Sequence, residues 1–280
     1  MKKLIIFTDL DGTLLDYSNY SFEAALPALQ LIKEKNIPLI ICSSKTRKEI
    51  EHYRKKLYNL HPFISENGGG VFIPIGYFEL RVKSLEFRVE EEGTFSVFRL
   101  GARYSDIRKT IEELRAKGFD IKGFGDMTVE EIASLTKLTK EEAEMAKERN
   151  FDEPFVFAGG KEDVRKLLDS IKKKGFNHTQ GKFHHILGNS DKGKAVAILI
   201  DLYKKEFGEI AAIAIGDSPN DIPMFETVDY PVIVRNRSGG YDEQINIPGL
   251  VRAAGIGPEG WNKTVIALMN LLKENSPRSP

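Results

Sequence analysis

The stretch Leu4-Ile-Ile-Phe-Thr-Asp9-Leu-Asp11-Gly-Thr13 joins an apolar run to two carboxylates. Uninterrupted apolar runs are typical of strands that are covered on both faces, as in a parallel sheet wrapped by helices. Side chains two positions apart on a strand share a face, so Asp9 and Asp11 are expected to point into the same cleft. In open α/β sheets that cleft, at the carboxyl ends of the strands, is where ligands bind.

The segments on either side of the long middle region repeat this strand-and-helix order. Residues 37–42 form a second apolar run, and 46–58 read as a charged amphipathic helix. After Asp191 the pattern returns, with a helix over 194–203 and apolar strands over 211–215 and 232–234. Such alternation predicts an α/β fold with a doubly wound, Rossmann-like parallel sheet.

The middle of the chain has a different texture. Thr128 with Glu131, and Thr139 with Glu142, have the spacing of two capping boxes, which predicts two short consecutive helices among strand candidates. We therefore expect an inserted α+β cap domain over residues 84–187, with residues 1–83 and 188–280 forming the core.

Composition narrows the classes of function. The chain has 280 residues, 41% of them apolar, and its 41 basic and 41 acidic residues balance. This balance suggests neither a nucleic-acid nor a membrane partner, and no stretch approaches the ~18 apolar residues of a membrane span. The single cysteine, Cys42, cannot form an internal disulfide or a thiolate zinc site. We expect a cytoplasmic protein.

Three further segments place polar groups at the ends of core strands or the starts of core helices. Ser43-Ser44-Lys45 follows the second strand, Lys192 opens a helix, and Gly216-Asp217-Ser-Pro-Asn220-Asp221 ends another apolar strand. Taken singly, Ser43 can equally be a helix cap and Lys192 a solvated lysine. The segment from Gly216 to Asp221 can likewise be a capped turn. Together with Asp9 and Asp11 they supply oxygen ligands and anion-binding groups, which fit Mg²⁺ and a phosphoryl group.

This set of motifs resembles the four motifs of the haloacid dehalogenase superfamily of phosphotransferases, and the insertion resembles the larger cap of its sugar-phosphate phosphatases. Residues 43–47, 183–188 with 191–193, and 255–262 resemble more closely the mannosyl-3-phosphoglycerate phosphatases of that superfamily. Most relatives with this cap have Thr-Gly-Arg where this chain has Ser43-Ser44-Lys45. The resemblance implies a Mg²⁺-dependent phosphoric monoester hydrolase of mannosylglycerate biosynthesis, acting on a small phosphorylated sugar-glycerate.

The resemblance also implies roles for the core residues. Asp9 is expected to be the nucleophile that forms an aspartyl phosphate, and Asp11 the general acid and base. Ser43 and Lys192 are expected to hold the phosphoryl oxygens. The expected metal set is Asp9, the backbone carbonyl of Asp11, and Asp217, with Asp221 orienting Lys192 or a metal-bound water.

The expected substrate contacts rest on weaker signals, since each of these residues also has a structural explanation. Arg47 is expected at the glycerate carboxylate, and Arg103 and His185 lie near the ends of strands in the insertion. The complete expected set is Ser44, Lys45, Arg47, Glu66, Asn67, Arg103, His185 and Asn220.

Several alternatives stay open at this stage. The substrate could instead be glucosyl-3-phosphoglycerate or a sucrose- or trehalose-phosphate type of ester, and a phosphohexomutase would carry the same core motifs. A phospho-aspartate signalling receiver also uses clustered acids, a hydroxyl and a lysine. Receivers, however, are much shorter and have no acid two residues after the phosphorylated aspartate. The sequence assigns no oligomeric state.

Overall fold

The computed structural model of the chain describes residues 2–79 and 89–274. The predicted boundary at residue 84 lies outside the described residues. The strands are, in chain order, β1 (Lys3–Thr8), β2 (Leu39–Cys42), β3 (Phe63–Ser65), β4 (Gly70–Pro74), β5 (Val89–Glu92), β6 (Phe95–Arg99), β7 (Ile121–Gly123), β8 (Asp152–Phe157), β9 (Asn177–Gln180), β10 (His184–Leu187), β11 (Ile210–Gly216), β12 (Tyr230–Arg235) and β13 (Val251–Ile256).

The same described residues form nine α-helices. They are α1 (Leu26–Glu34), α2 (Arg47–Lys56), α3 (Tyr104–Ala116), α4 (Val129–Thr136), α5 (Lys140–Lys147), α6 (Lys161–Lys173), α7 (Lys192–Phe207), α8 (Ile222–Phe225) and α9 (Gly257–Glu274). Among the described helices, none is both long enough and apolar enough to cross a bilayer.

Contacts within the chain define two units, one made of residues up to Cys42 together with those from Val196 onward, the other of Ser43–Ala195. The first unit contains a parallel sheet with the order β13-β12-β11-β1-β2. Its central pair, β1 and β11, runs in register from Lys3 opposite Ile210 to Thr8 opposite Ile215. The predicted α/β fold with a parallel sheet is therefore confirmed.

The apolar runs of the sequence explain why these strands are central. Every residue of β11 is buried, as are the last four residues of β1, which is the pattern of strands covered on both faces. α9 packs against β13 and α1, and it buries Trp261 completely.

The second unit contains two antiparallel sheets, with the orders β3-β4-β6-β5 and β7-β8-β10-β9. α3 and α6 cover the second of these sheets with an apolar cluster of Ile107, Ile111, Leu114, Leu167, Ile171, Ile121, Phe155 and Ile186. The predicted capping boxes at Thr128 and Thr139 are confirmed as the starts of α4 and α5. The hairpin of β5 and β6 extends the sheet of β3 and β4. The predicted division of the chain into a core and a cap domain stays a prediction.

Candidate active site

Three carboxylates gather at the carboxyl ends of β1 and β11 in the first unit. Asp9 follows β1, whereas Asp217 and Asp221 follow β11, and because these strands are parallel neighbours their ends meet at one edge. One oxygen from each carboxylate lies within 4.8 Å of the others, and Asp9 and Asp221 are buried. Carboxylates this close repel one another, and a cation bound between them would offset that repulsion. The cluster therefore fits a metal ion with hard, oxygen-loving chemistry.

Local hydrogen bonds hold the strand ends in place. Asp221 Oδ2 accepts the backbone N–H groups of Asp217 at 2.9 Å and Ser218 at 3.1 Å, and Thr13 Oγ1 donates to Asp217 Oδ1 at 3.3 Å. Gly12 has a φ of +81°, and a Cβ at this position would lie 2.7 Å from Asp217 Oδ2. Glycine is therefore favoured here both by its backbone conformation and by the close approach of the Asp217 carboxylate.

A buried hydrogen-bond chain fixes the backbone of Asp9. The indole Nε1 of Trp261 donates to Thr8 Oγ1 at 3.0 Å, and that hydroxyl donates to the carbonyl oxygen of Asp9 at 2.8 Å. The backbone N–H of Asp9 donates to the carbonyl of Ile215 at 2.9 Å. Trp261 is fully buried, so its place is in the core of the first unit.

Thr8→Val is expected to destabilise the protein by ~1–3 kcal/mol, because it leaves the buried indole N–H of Trp261 without its acceptor. Urea unfolding of the variant and of wild type measures this loss. In a Trp261→Phe background the same substitution is expected to cost clearly less, since no donor is then left unsatisfied. Equal costs in both backgrounds would contradict the assigned hydrogen bond.

The expected phosphoryl-binding residues lie in the second unit. Ser43 follows β2 and is almost fully buried, and its Oγ accepts the backbone N–H of Lys45 at 3.3 Å. Lys192 is the first residue of α7 and has no exposed surface. An ammonium group that is withdrawn from water needs anionic partners to stay charged. Their predicted contacts with a phosphoryl group stay predictions.

Two of the expected substrate-binding cations are engaged within the second unit. Lys45 Nζ lies 3.2 Å from Glu49 Oε1. The Arg47 guanidinium pairs with Glu51 at 2.9 Å and with Glu92 at 2.6 Å, and it stacks over the rings of Phe72 and Phe95. A ligand carboxylate at Arg47 would compete with both of these carboxylates.

Glu66 is fully buried beside the start of β8. Its Oε2 accepts three backbone N–H groups, those of Asn150 at 2.9 Å, Phe151 at 2.7 Å and Asp152 at 3.1 Å. Burial raises the pKa of Glu66, although the nearby Arg149 guanidinium and these N–H groups act against the shift. Glu66 thus fixes the segment that leads into β8.

Asn67 and His185 meet at a common carboxylate, that of Asp152. Asn67 Nδ2 donates to Asp152 Oδ2 at 2.9 Å, His185 Nδ1 lies 2.9 Å from the same oxygen, and Arg149 pairs with Oδ1. Burial, together with the positive charges of Arg149 and Lys192, lowers the pKa of His185 to about 3. Although the Asp152 carboxylate would favour a charged ring, Arg149 already neutralises it, so the neutral ring donates its Nδ1–H. Asp152 and Arg149 were not predicted from the sequence.

This network predicts a pH dependence of stability. His185 binds its proton below about pH 3 when folded but near its ordinary value of 6.5 when unfolded. The stability that the neutral ring contributes is therefore present above pH 6.5 and is lost as the pH falls below it. Between pH 6.5 and 5, wild type is expected to lose up to about 2 kcal/mol more unfolding free energy than His185→Asn.

Urea unfolding at several pH values measures this difference. The raised pKa of Glu66 acts in the opposite sense, and because His185 is not among its causes it cancels in the comparison. The lowered pKa of His178 acts in the same sense and arises mainly from burial, which the two proteins share. Parallel stability profiles of wild type and variant would contradict a neutral, buried His185.

The remaining expected site residues are either more accessible to solvent or form hydrogen bonds within the protein. Arg103 is exposed at the N-cap of α3, and Asp11 is half-buried. Asn220 Oδ1 accepts the hydroxyl of Ser218 at 2.7 Å, and the carbonyl of Ser44 accepts a hydrogen bond from Arg149 Nη2 at 2.9 Å. The structure thus brings together Asp9, Asp217 and Asp221 in the first unit, and Glu66, Asn67 and His185 around the β8 segment in the second.

The parallel sheet, with carboxylates at the ends of β1 and β11, belongs to a known family of hydrolases. The family model of haloacid dehalogenase-like hydrolases matches residues 6–79 and 101–243. The chain belongs to that family, and the resemblance drawn from its motifs is confirmed.

The chain is also similar to individual proteins of known name. The glucosyl-3-phosphoglycerate/mannosyl-3-phosphoglycerate phosphatase of Methanococcoides burtonii is 46% identical over 276 residues, 98% of this chain and 99% of its own. The mannosyl-3-phosphoglycerate phosphatase of Pyrococcus furiosus is 40% identical over 82% of this chain and 90% of its own. The sucrose-phosphatase of Synechocystis, solved with sucrose and phosphate, shares the fold with a TM-score of 0.63 and 15% identity, over 96% of this chain and 99% of its own.

Proposed function

We propose that the chain is a Mg²⁺-dependent phosphatase that hydrolyses mannosyl-3-phosphoglycerate to mannosylglycerate and phosphate. The observation that carries the proposal is the Asp9, Asp217 and Asp221 cluster, which combines a candidate nucleophile with metal-binding carboxylates at one strand edge. The substrate is inferred from the relatives named for it, since the Methanococcoides burtonii protein matches nearly the whole of both chains.

In this proposal a carboxylate oxygen of Asp9 attacks phosphorus. The new bond gives an aspartyl phosphate, and the bond from phosphorus to the glycerate oxygen breaks while Asp11 gives that oxygen its proton. Asp11 then takes a proton from water, whose oxygen attacks the phosphorus and releases phosphate and free Asp9. Ser43 and Lys192 hold the phosphoryl oxygens through both steps, and Asn220 adds an N–H donor.

The metal would be held by Asp9, Asp217 and the backbone carbonyl of Asp11, with Asp221 supporting the cluster. When bound, Mg²⁺ supplies positive charge that offsets the repulsion between a carboxylate and a phosphate dianion. Hydrogen bonds from Trp261 to Thr8 and from Thr8 to Asp9 fix the backbone of Asp9. The protein therefore holds the nucleophile in position without help from the substrate.

The groups outside the reacting centre select the substrate in this proposal. Ser44, Lys45, Arg47, Glu66, Asn67, Arg103 and His185 are assigned to the sugar-glycerate side, as contacts or as supports for them. Among these, Arg103 is exposed and His185 is buried, which favours a direct contact for the first and support through Asp152 for the second. The proposed location of the enzyme is the cytoplasm.

Glucosyl-3-phosphoglycerate is the second candidate substrate. It is favoured because two relatives that cover at least 95% of this chain, from Methanococcoides burtonii and Persephonella marina, carry both sugars in their names. Both compounds present the same phosphoglyceryl group to the core and differ only in the sugar.

A phosphate-release screen tests the proposal. The panel contains mannosyl- and glucosyl-3-phosphoglycerate, sucrose 6-phosphate, trehalose 6-phosphate and mannose 6-phosphate, each with and without Mg²⁺, and a second assay follows hexose-phosphate isomerisation. We expect the highest kcat/KM on mannosyl-3-phosphoglycerate, with glucosyl-3-phosphoglycerate next. Preference for an ester without the glycerate, or isomerisation without phosphate release, would contradict the proposal.

A further inference from the structure

A cavity of about 210 Å³ adjoins the carboxylate cluster within the first unit. Its lining includes Gly12 and Asp217, and also Asn236 and Arg237 from the loop after β12. Asp217 thus belongs both to the cluster and to the cavity. A group attached to a phosphorus that reacts at Asp9 can therefore extend into this space.

Arg237 is the positively charged residue that lines this cavity, and it belongs to none of the sequence motifs described above. It is exposed, its guanidinium carbon lies 4.9 Å from the centre of the Tyr17 ring, and no carboxylate of the described residues forms an ion pair with it. Stacking occupies the face of the guanidinium, whereas its N–H donors point outward in the plane of the group. Arg237 can therefore stack on Tyr17 and still bind a carboxylate through two parallel hydrogen bonds.

The two carboxylates of the lining, Asp16 and Asp217, accept hydrogen bonds from groups other than Arg237. The carboxylate of Asp16, also in the lining, accepts both the hydroxyl and the backbone N–H of Ser18, and these bonds lower the pKa of Asp16. These neutral donors stabilise the negative charge of Asp16 without cancelling it. Asp217 belongs to the carboxylate cluster, where a bound cation would offset its charge. Among the lining residues Arg237 carries the one positive charge, so it is the group of this cavity that can attract a carboxylate.

We propose that Arg237 binds the carboxylate of the phosphoglyceryl group and so selects esters of phosphoglycerate. This inference rests on the proposed function and deepens it. In such esters only one oxygen and two carbons separate the phosphorus from the carboxylate carbon, which suits a cation beside the cluster. Arg47, the alternative cation, already pairs with Glu51 and Glu92.

Competition against a generic substrate tests this assignment. 3-Phosphoglycerate has a carboxylate where glycerol 3-phosphate has a neutral hydroxymethyl group, and each is measured as an inhibitor of p-nitrophenyl phosphate hydrolysis. Wild type is expected to bind 3-phosphoglycerate at least about tenfold more tightly, and this preference is expected to fall close to one in Arg237→Ala and Arg237→Gln. Arg237→Lys keeps the charge but not the paired donors, so we expect an intermediate preference.

Arg235→Ala is the matched control. Arg235 lies two positions away, is exposed, and stacks over Tyr241 outside the cavity lining, so its loss is expected to keep the wild-type preference. An unchanged preference in Arg237→Ala or Arg237→Gln, or no preference in wild type, would overturn the inference. Because the reporter substrate is generic, a chain that failed to hydrolyse mannosyl-3-phosphoglycerate would contradict the proposed function while the inhibitor ratio still tested Arg237.

Discussion

Asp9→Asn is expected to reduce turnover of every phosphate ester to background, a loss of at least about 10⁴-fold in kcat. The amide keeps the shape of the side chain but is a poor nucleophile, and without attack no aspartyl phosphate forms. The substitution also removes one of the three clustered negative charges, so metal binding should weaken as well. Steady-state kinetics on p-nitrophenyl phosphate measures the loss, with mass spectrometry to exclude deamidation back to aspartate.

Two further variants are to be compared with Asp9→Asn. Asp201→Asn is the matched control, since Asp201 is exposed on α7, and it should keep full activity. Asp11→Asn should slow both half-reactions but still permit phosphoryl capture, because the nucleophile remains. Wild-type turnover by a verified Asp9→Asn protein would remove Asp9 from the nucleophilic role.

Removal of the metal is expected to have the second large effect. Excess chelator should abolish turnover, and Mg²⁺ should restore it. Ca²⁺ should restore it poorly, because it prefers more ligands at longer distances. Asp217→Asn is expected to raise the Mg²⁺ concentration for half-maximal activity by at least about tenfold, since one of three clustered carboxylates loses its charge.

Thermal unfolding supplies a readout that needs no turnover. A cation that binds only the folded chain stabilises it by RT ln(1 + [L]/Kd), so Mg²⁺ should raise the Tm of wild type and of Asp201→Asn. In Asp217→Asn the same Mg²⁺ concentration should shift the Tm much less. Full turnover in excess chelator, or an equal Tm shift in Asp217→Asn, would contradict a metal site at this cluster.

The parts of the fold that the sequence predicts are those with local, periodic signals. The apolar run before Asp9 predicts β1, and the spacing of Thr128 and Thr139 with later glutamates predicts the starts of two helices, all of which are confirmed. The gathering of Asp9 and Asp217 follows from the same logic, because parallel neighbouring strands bring their carboxyl ends to one edge.

The features that the sequence misses depend on residues distant along the chain. β13 carries Arg252 and Gly255 among small residues, so it lacks the apolar run that marks the other core strands. The contact between Asp152 and His185 joins positions 33 residues apart, and Arg237 meets Tyr17 across most of the chain. No spacing rule pairs such residues, since their proximity is produced only by the completed tertiary structure.

Trp261 is the single tryptophan of the chain, and only the hydroxyl of Thr8 lies between its indole and the backbone of Asp9. The tryptophan fluorescence of the protein, excited selectively over that of its nine tyrosines, therefore arises from one ring, next to the residue proposed to carry the phosphoryl group. Emission from a dry, hydrogen-bonded indole is sensitive to small changes in the field around it. The chain thus carries its own optical probe of the reacting centre, suited to stopped-flow experiments without a label.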